Sequence, residues 1–504
     1  MSNQYEGSPI PKQVMPGIKM NVSEMDYIDH LRNMHYRSDA EGQLYLQAQV
    51  QGRVKWMPIT SRVVHAHLSN VISQHWGKYI SVQKVREYLE NVSITVTPQG
   101  PPLVHFNRIG SSDGAIVLDL HDPAGNAVFI TPGGWEVRQN QEVLFKEYKH
   151  QLPLPVPVPG NGMDEFFDLH NIHDVHQRAL LGAWLVACFF TENPRAHLIF
   201  VGKAGSGKST ISLAVKNLID PCELRDMVQK NLLDMVQMVD HNAIPLIDNM
   251  KKITDEISAM LCVAYTGGKI TTRVKFTTDE DHHFNLKKGV IITAESLRPY
   301  AADLVDRMIM IPMSKQHDRV AGEAGVNEAY HEMRPRIMGT ILTAVSHVMG
   351  RLPGFNPTGL VRTADYHRIG LLAAEVLGYG SQVFDEAIRL NVVQKAESKR
   401  RSNPVVNALV KLMEGQVSLQ TYMNELAPQL KAVVDDPNEI PSQPNQLSRV
   451  LSNSEPLLRE HGISIKSYSN DSYGKPYVIT NEKAYENELT EIIDESTGVV
   501  YTLD

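Results

Sequence analysis

The stretch "HLIFVGKAGSGKST", residues 197–210, constrains the fold more than any other part of this chain. A short apolar run reads as a buried strand, and Gly202 to Ser209 then completes the pattern G-x-x-x-x-G-K-[ST]. Gly202, Gly205 and Gly207, with Ala204 and Ser206 between them, let consecutive backbone N–H groups turn inward on phosphate oxygens. Lys208 is placed to neutralise the β- and γ-oxygens, and Ser209, followed by Thr210, offers a hydroxyl ligand to Mg²⁺. "TISLAVKNLI" reads as a helix whose N-terminal dipole favours the same anion, and Pro221 ends it. The expectation is an α/β domain that binds ATP with Mg²⁺.

Such a site also needs a carboxylate at the tip of a neighbouring strand, and "NAIPLIDNM" offers Asp248 about forty residues on. Asn249 follows where many ATPases carry a glutamate base, so water activation falls to Asp248 itself or to a carboxylate such as Glu256. Pro245 sits awkwardly inside the expected strand because it removes a ladder donor. The plainer reading of Asp248 is a loop residue capping the next helix. Further on, "GVIITAES" is another buried strand, which puts Thr293 where a side chain can sense the γ-phosphate. "DLVDRMIMI" carries Arg307 at the entrance of a further strand, either as an arginine finger for a neighbouring subunit or as the partner of Asp303 or Asp306.

Composition excludes several classes. The 504 residues suffice for two to four domains, and 42% hydrophobic content supports ordinary cores. No run approaches the roughly eighteen apolar residues of a membrane span, and "MSNQYEGSPIPKQ" lacks a secretory layout, so a cytoplasmic setting with no membrane partner is expected. Cys188, Cys222 and Cys262 stand apart without metal or disulfide spacing and read as core residues. A net charge of −8 leaves nucleic-acid contact to a local patch or an oligomer channel. His105, Asp119, His121 and Asp122 read as strand surface and turn rather than as a metal site.

The proline-rich segment 151–162, "QLPLPVPVPGNG", marks the clearest boundary and reads as a semi-rigid linker. Before it, 1–100 reads as mainly helical and 101–150 as a small antiparallel meander broken by "SSDG", "DPAG" and "PGG". After it come a nucleotide core over 163–320, a helical region over 321–402, and 403–480, where three helical segments and a hairpin spell a winged helix. That unit would present Asn445, Gln446, Ser448, Arg449 and Asn453 on its third helix, with Lys466 and Lys475 on its wing. The basic run "KAESKRRSNP", 395–404, precedes it, and 481–504 reads as an acidic, loosely held tail.

The nucleotide loop, "IPLIDNM", "TGGKITTR", "VIITAES" and "DLVDR" together resemble the AAA+ ATPase core of superfamily 3 helicases and poxvirus-type primase-helicases, and most nearly the "ATP-binding protein" homologues of phages and other mobile elements. The resemblance covers about 163–350. It implies an α/β fold with a P-loop AAA+ ATPase core, an N-terminal α+β region and a C-terminal winged helix. It further implies a homo-oligomeric ring, usually a hexamer, with ATP and Mg²⁺ between subunits and a DNA strand in the pore. By position, Gly202, Gly207, Lys208 and Ser209 would hold the phosphates, Asp248 the metal, Thr293 would be sensor 1 and Arg307 the finger; sensor 1 is commonly asparagine, so Thr293 departs from the pattern. The hairpin expected ahead of Thr293 spans 270–288, with Arg273, Lys275, His282, His283, Lys287 and Lys288 as its phosphate contacts, although its tip "TTDEDHH" is acidic.

The expected activity is therefore an ATP-driven helicase or translocase acting on single-stranded or forked DNA, serving the replication of a phage, plasmid or mobile element in a bacterial cytoplasm. The alternative is an ATP-regulated initiator or assembly switch on DNA with little unwinding. A small-molecule kinase fits less well, because the polar element downstream is an arginine suited to acting between chains.

Overall fold

The computed structural model describes residues 24–50, 53–140, 142–223, 231–250, 253–273, 281–297, 301–314, 323–401, 403–434, 437–484, 491–494 and 499–502. The chain divides into two compact units. The first holds residues up to 129 and 136–149, the second 130–135 and 150 onward.

In the first unit, helices Glu24–Arg32, Arg62–Trp76 and Val82–Thr95 enclose Tyr27, Leu31, Leu68, Val85 and Leu89. Ser61 and Ser81 cap the second and third by accepting N–H bonds from Val63 and Lys84, and Gly77 closes the second in the left-handed conformation. The region is less helical than expected. Tyr36–Ser38, Leu44–Val50 and Arg53–Pro58 form a three-stranded antiparallel sheet, in which the period-2 alternation of Leu44, Leu46 and Ala48 overrides the surrounding helical pattern. A four-stranded meander follows: Ile109–Ser112, Ala115–Asp119, Asn126–Thr131 and Gly134–Gln139. Its first turn has positive φ at both Asp113 and Gly114, the turn whose twist matches that of paired strands. Asp122 accepts bonds from the Asn126 backbone and side-chain amides, as turn chemistry requires.

The second unit is built on a parallel sheet in the order Leu246–Ile247, Ile291–Ala294, His197–Val201, Met308–Pro312. Parallel neighbours need crossovers, and helices Lys208–Ile219, Leu232–His241 and Asp255–Thr266 supply them. Val236, Leu261, Ile292 and Met308 lie in the core between sheet and helices. Pro245 is accommodated because its strand is an edge strand of two residues, and its carbonyl accepts from Ile291. The other edge is covered by helix Ser381–Arg401: Asn391 bonds both backbone groups of Met310, and Lys395 Nζ donates to the Met308 carbonyl at 2.7 Å. Side chains thus stand in for a fifth strand and keep that edge from pairing with another chain. Lys395 is buried there, with burial pulling its ammonium down to about 8, so the first basic residue of 395–404 is structural.

The proline-rich segment is strapped onto the second unit. Leu152 donates to Pro221, Val158 to Pro335 and Thr340 Oγ1 to Gly160, while Leu154 is buried. Helix Glu323–Arg351 meets the strap at Gly339, where a Cβ would stand 1.9 Å from the Val158 carbonyl oxygen. Gly339→Ala is expected to lower stability by about 1–3 kcal/mol through this overlap. Thermal unfolding checks it against Gly354→Ala, where a Cβ would meet nothing within 4 Å.

Residues 404–481 form helices Pro404–Leu412, Met423–Ala432, Pro444–Asn453 and Glu455–Glu460 around a sheet ordered Ser418–Tyr422, Pro476–Asn481, Ile463–Ser467. The segment "SLQTYMNELA", the second of the three helical segments expected over 403–480, starts as a strand, because residues 418–422 pair with Pro476–Asn481 before the helix begins at Met423. Beyond it, Glu491–Asp494 pairs antiparallel with Val499–Thr502, so part of the acidic tail is paired strand. Among the described residues no helix is long and apolar enough to cross a membrane.

Candidate functional site

The glycine-rich loop joins His197–Val201 to Lys208–Ile219 at the exit end of the parallel sheet. Gly202 is dictated by close approach: a Cβ there would lie 2.3 Å from the Met313 carbonyl oxygen. Gly205 and Gly207 have φ of 78° and 82°, left-handed values that glycine adopts without strain. Gly207 precedes the helix and brings no side-chain cap, so the first-turn N–H groups of Lys208, Ser209 and Thr210 have no intrahelical acceptor. These are the donors an anion uses at a helix N-terminus. Ser206 Oγ is buried without a hydrogen-bond partner, and Lys203, Ala204 and Gly205 form an exposed crest. Lys208 Nζ folds back on the carbonyls of Gly202 (2.7 Å) and Lys203 (2.9 Å), which holds its ammonium at the mouth of the loop.

Asp248 leaves the tip of Leu246–Ile247 and reaches the loop. Its Oδ1 accepts from Ser209 Oγ at 2.9 Å and from the Thr293 hydroxyl. Thr293, buried at the centre of the sheet, also accepts the Asn249 N–H at 2.7 Å, and its carbonyl accepts the Met250 N–H at 2.8 Å. Asn249 adopts φ 52°, a conformation asparagine tolerates better than most residues, and its side chain is exposed. Glu256 is exposed on the first turn of the next helix. Ser209 and Asp248 present two hard oxygens side by side. They suit Mg²⁺, a hard cation that is held by one or two protein oxygens and takes its remaining ligands from phosphate and water. The donor set therefore fits a Mg²⁺–nucleotide.

His197, at the root of the loop strand, is fully buried. Its Nδ1 accepts from the Val290 N–H at 3.1 Å, and its Nε2 faces the Leu261 carbonyl at 2.9 Å, an arrangement that selects the neutral Nε2–H tautomer. Burial pulls it down to about 4 from 6.5. A folded value below the unfolded one means the unfolded chain binds the extra proton first, so stability is complete above pH 6.5 and drains as pH falls toward 4. The expected loss is on the order of 3 kcal/mol over that window. Denaturant titrations at stepped pH should show the slope, and His197→Asn should flatten it.

Arg307 stands at the opposite end of the sheet. The register pairs His197 with Met308 and Val201 with Pro312, so Arg307 precedes the edge strand where the loop follows its own. About 16 Å of strand separates the two. The side chain is 17% exposed, ion-paired to the Asp303 carboxylate, bonded to the Asp303 carbonyl at 2.6 Å and packed over the Tyr265 ring. The intrachain partner allowed by sequence is thus made.

The expected hairpin exists as Gly268–Arg273 paired with Asp281–Leu286, in register Arg273 to Asp281, Thr272 to His282 and Thr271 to His283. Lys275 lies outside the described residues. Two of the proposed phosphate contacts are corrected. Lys288 is buried and donates to the Asn242 carbonyl at 2.8 Å, and Lys287 reaches the Glu192 carbonyl; both follow the base of the hairpin, where they pack against neighbouring elements rather than project from the tip. The residue that sequence reading passed over is Arg362. It lies just ahead of helix Ala364–Val376 in a stretch with no motif, yet its side chain joins Arg307 on Asp303.

Residues 163–378 match the family model described as actinomycete integrative conjugative element replication protein. Residues 405–491 match the model of the AICE RepA C-terminal domain. Both matches support a replication protein of a mobile element. The two matches meet the site as described: the first contains the loop, Asp248, Thr293, Arg307 and Arg362, the second the small C-terminal sheet and its helices. No curated protein matches the chain. Among solved structures, the A form apo structure of the NrS-1 C-terminal region is similar at TM-score 0.40 and 11% identity, covering 90% of this chain and 98% of that one. A second apo structure of the same region gives 0.38 and 13%, covering 90% and 97%.

Proposed function

We propose that this replication protein is an ATP-driven, ring-forming DNA helicase or translocase built on a P-loop AAA+ core, with residues 404–481 as a winged helix. The observation that carries the reading is the Ser209–Asp248–Thr293 constellation beside a helix N-terminus that has no side-chain cap, together with an arginine held too far away to serve its own site. Lys208 would neutralise the β- and γ-oxygens, Ser209 and Asp248 would be the protein's ligands to Mg²⁺, and Thr293 would fix the carboxylate so that it cannot swing away. Mg²⁺ held by these two oxygens would supply charge to offset what develops on the phosphate oxygens. Arg307 would serve the site of an adjoining copy, which makes a ring, hexameric by resemblance, the productive state. Arg273, Lys275, His282 and His283 remain the candidate backbone contacts in the pore. Basic residues on the hairpin of each copy would concentrate positive charge along one channel, against an acidic tip.

Fluorescent forked duplex tests the reading directly. Strand separation that needs ATP and Mg²⁺, with turnover raised by single-stranded DNA and light scattering reporting a ring in the presence of ATP, supports it. A turnover indifferent to nucleic acid rejects the motor. One observation favours the second reading, an ATP-regulated assembly switch: the position after Asp248 is an exposed asparagine, which cannot act as a base, so hydrolysis would be slow. In that case ATP alone would drive assembly on DNA and the fork would stay closed.

A further inference from the structure

Two arginines converge on one carboxylate at the entry end of the sheet. Arg307 pairs with Asp303 Oδ1, and Arg362, 54% exposed, pairs with the same oxygen while its Nη1 donates to Asp306 Oδ2 at 2.7 Å. The guanidinium groups repel each other, so an anion must sit between them. In the single chain that anion is Asp303, itself more than half exposed, and the Arg307 hydrogen bond is the largest of the influences holding it below the usual carboxylate range. Ion pairs on an exposed carboxylate contribute little to stability, so a purely structural purpose gains little from stacking two arginines on one acid. A pair of planar, five-donor guanidinium groups is well matched to a multiply charged phosphoryl group.

We propose that Arg362 is a second arginine delivered beside Arg307 to the γ-phosphate of a neighbouring copy, and that Asp303 holds both in their own chain until that phosphate displaces it. The proposal rests on the ring ATPase reading and deepens it. Neither arginine can reach its own chain's loop, because their shared anchor, Asp303, precedes the edge strand at the end of the sheet away from the loop. The neighbour's nucleotide supplies the competing anion, and Asp303, released, faces solvent.

Mixing experiments separate action between chains from action within one. Lys208→Ala removes a chain's own site but leaves its arginines to offer; Arg362→Ala keeps the site but offers one arginine fewer. Arg362→Ala alone is expected to turn over ATP at least about tenfold more slowly than wild type at saturating ATP. Mixed 1:1 with Lys208→Ala, it should recover, since roughly a quarter of interfaces in a random ring then pair an intact site with an intact arginine pair. Arg307→Ala mixed with Lys208→Ala should recover in the same way and serves as the reference. Asp303→Asn should reach half-maximal turnover at a severalfold lower protein concentration. Thermal unfolding of each variant, and an Arg362→Lys variant that keeps charge without the fork, exclude misfolding as the cause. Wild-type turnover at Arg362→Ala overturns the proposal, as does a defect that Lys208→Ala cannot complement while it does complement Arg307→Ala. A wild-type chain with no turnover at all overturns the ATPase reading beneath it instead.

Discussion

Lys208→Ala is expected to reduce ATP turnover by about 10³-fold or more and to abolish DNA strand separation, with the melting temperature almost unchanged. The ammonium stands at the loop mouth, and its present partners, the carbonyls of Gly202 and Lys203, belong to the loop itself. Those carbonyls can turn to water when the side chain is removed, so the fold loses little. Phosphoryl transfer loses far more, because charge builds on the γ-oxygens in the transition state and a positioned cation there acts in a partly desolvated cleft. Steady-state turnover with a coupled phosphate assay, run beside nucleotide binding by fluorescence, distinguishes failure of chemistry from failure of binding. Retention of more than a tenth of wild-type turnover would rule out the assigned role of this lysine.

Arg307→Ala is expected to produce the second largest effect, a loss of about 10²–10³-fold in turnover with ATP binding to the isolated chain intact. The reasoning is geometric: the arginine lies at the entry end of its own sheet and the loop at the exit end, so removal cannot disturb the cis site. It does remove the pair with Asp303 and the packing on Tyr265, and a modest drop in melting temperature is expected from that alone. The decisive measurement is turnover against protein concentration. Wild type should gain specific activity as chains associate, and Arg307→Ala should stay flat. An arginine that merely staples helix Ala302–Val305 to its surroundings would lower stability and leave turnover per assembled chain where it was.

Residues 197–219 were legible from the sequence because every force acting on them is local: an apolar run, glycines at positions of positive φ, and a helix opened without a competing cap. Asp248 was legible for a related reason, since a carboxylate following an apolar run marks a strand tip. Pro245 looked like an obstacle only because sequence does not say which strands are edges. Thr293 was placed in its strand, but the bond it makes to Asp248 and the turn it imposes on Asn249 join strands 45 residues apart in the chain. The strand at 418–422 was hidden because its partner lies nearly sixty residues away. Lysines misled for the same reason. Lys288 was expected among the hairpin's phosphate contacts and Lys395 in the basic run 395–404, yet each is buried on backbone carbonyls that only the folded chain brings near.

By itself the sequence determined the elements whose stability comes from neighbours within about twenty residues: the loop, its strand and helix, the turn at 113–114 and the hairpin. Tertiary structure alone decided which charged groups face solvent and which face one another. Asp303 collects two arginines, one of them 59 residues distant, because packing of helix Ala364–Val376 sets the Arg362 backbone beside the edge strand, and no local spacing encodes that meeting. Short-range preferences act on the backbone through sterics and hydrogen bonds, whereas the placing of a charge depends on the burial that the whole chain completes.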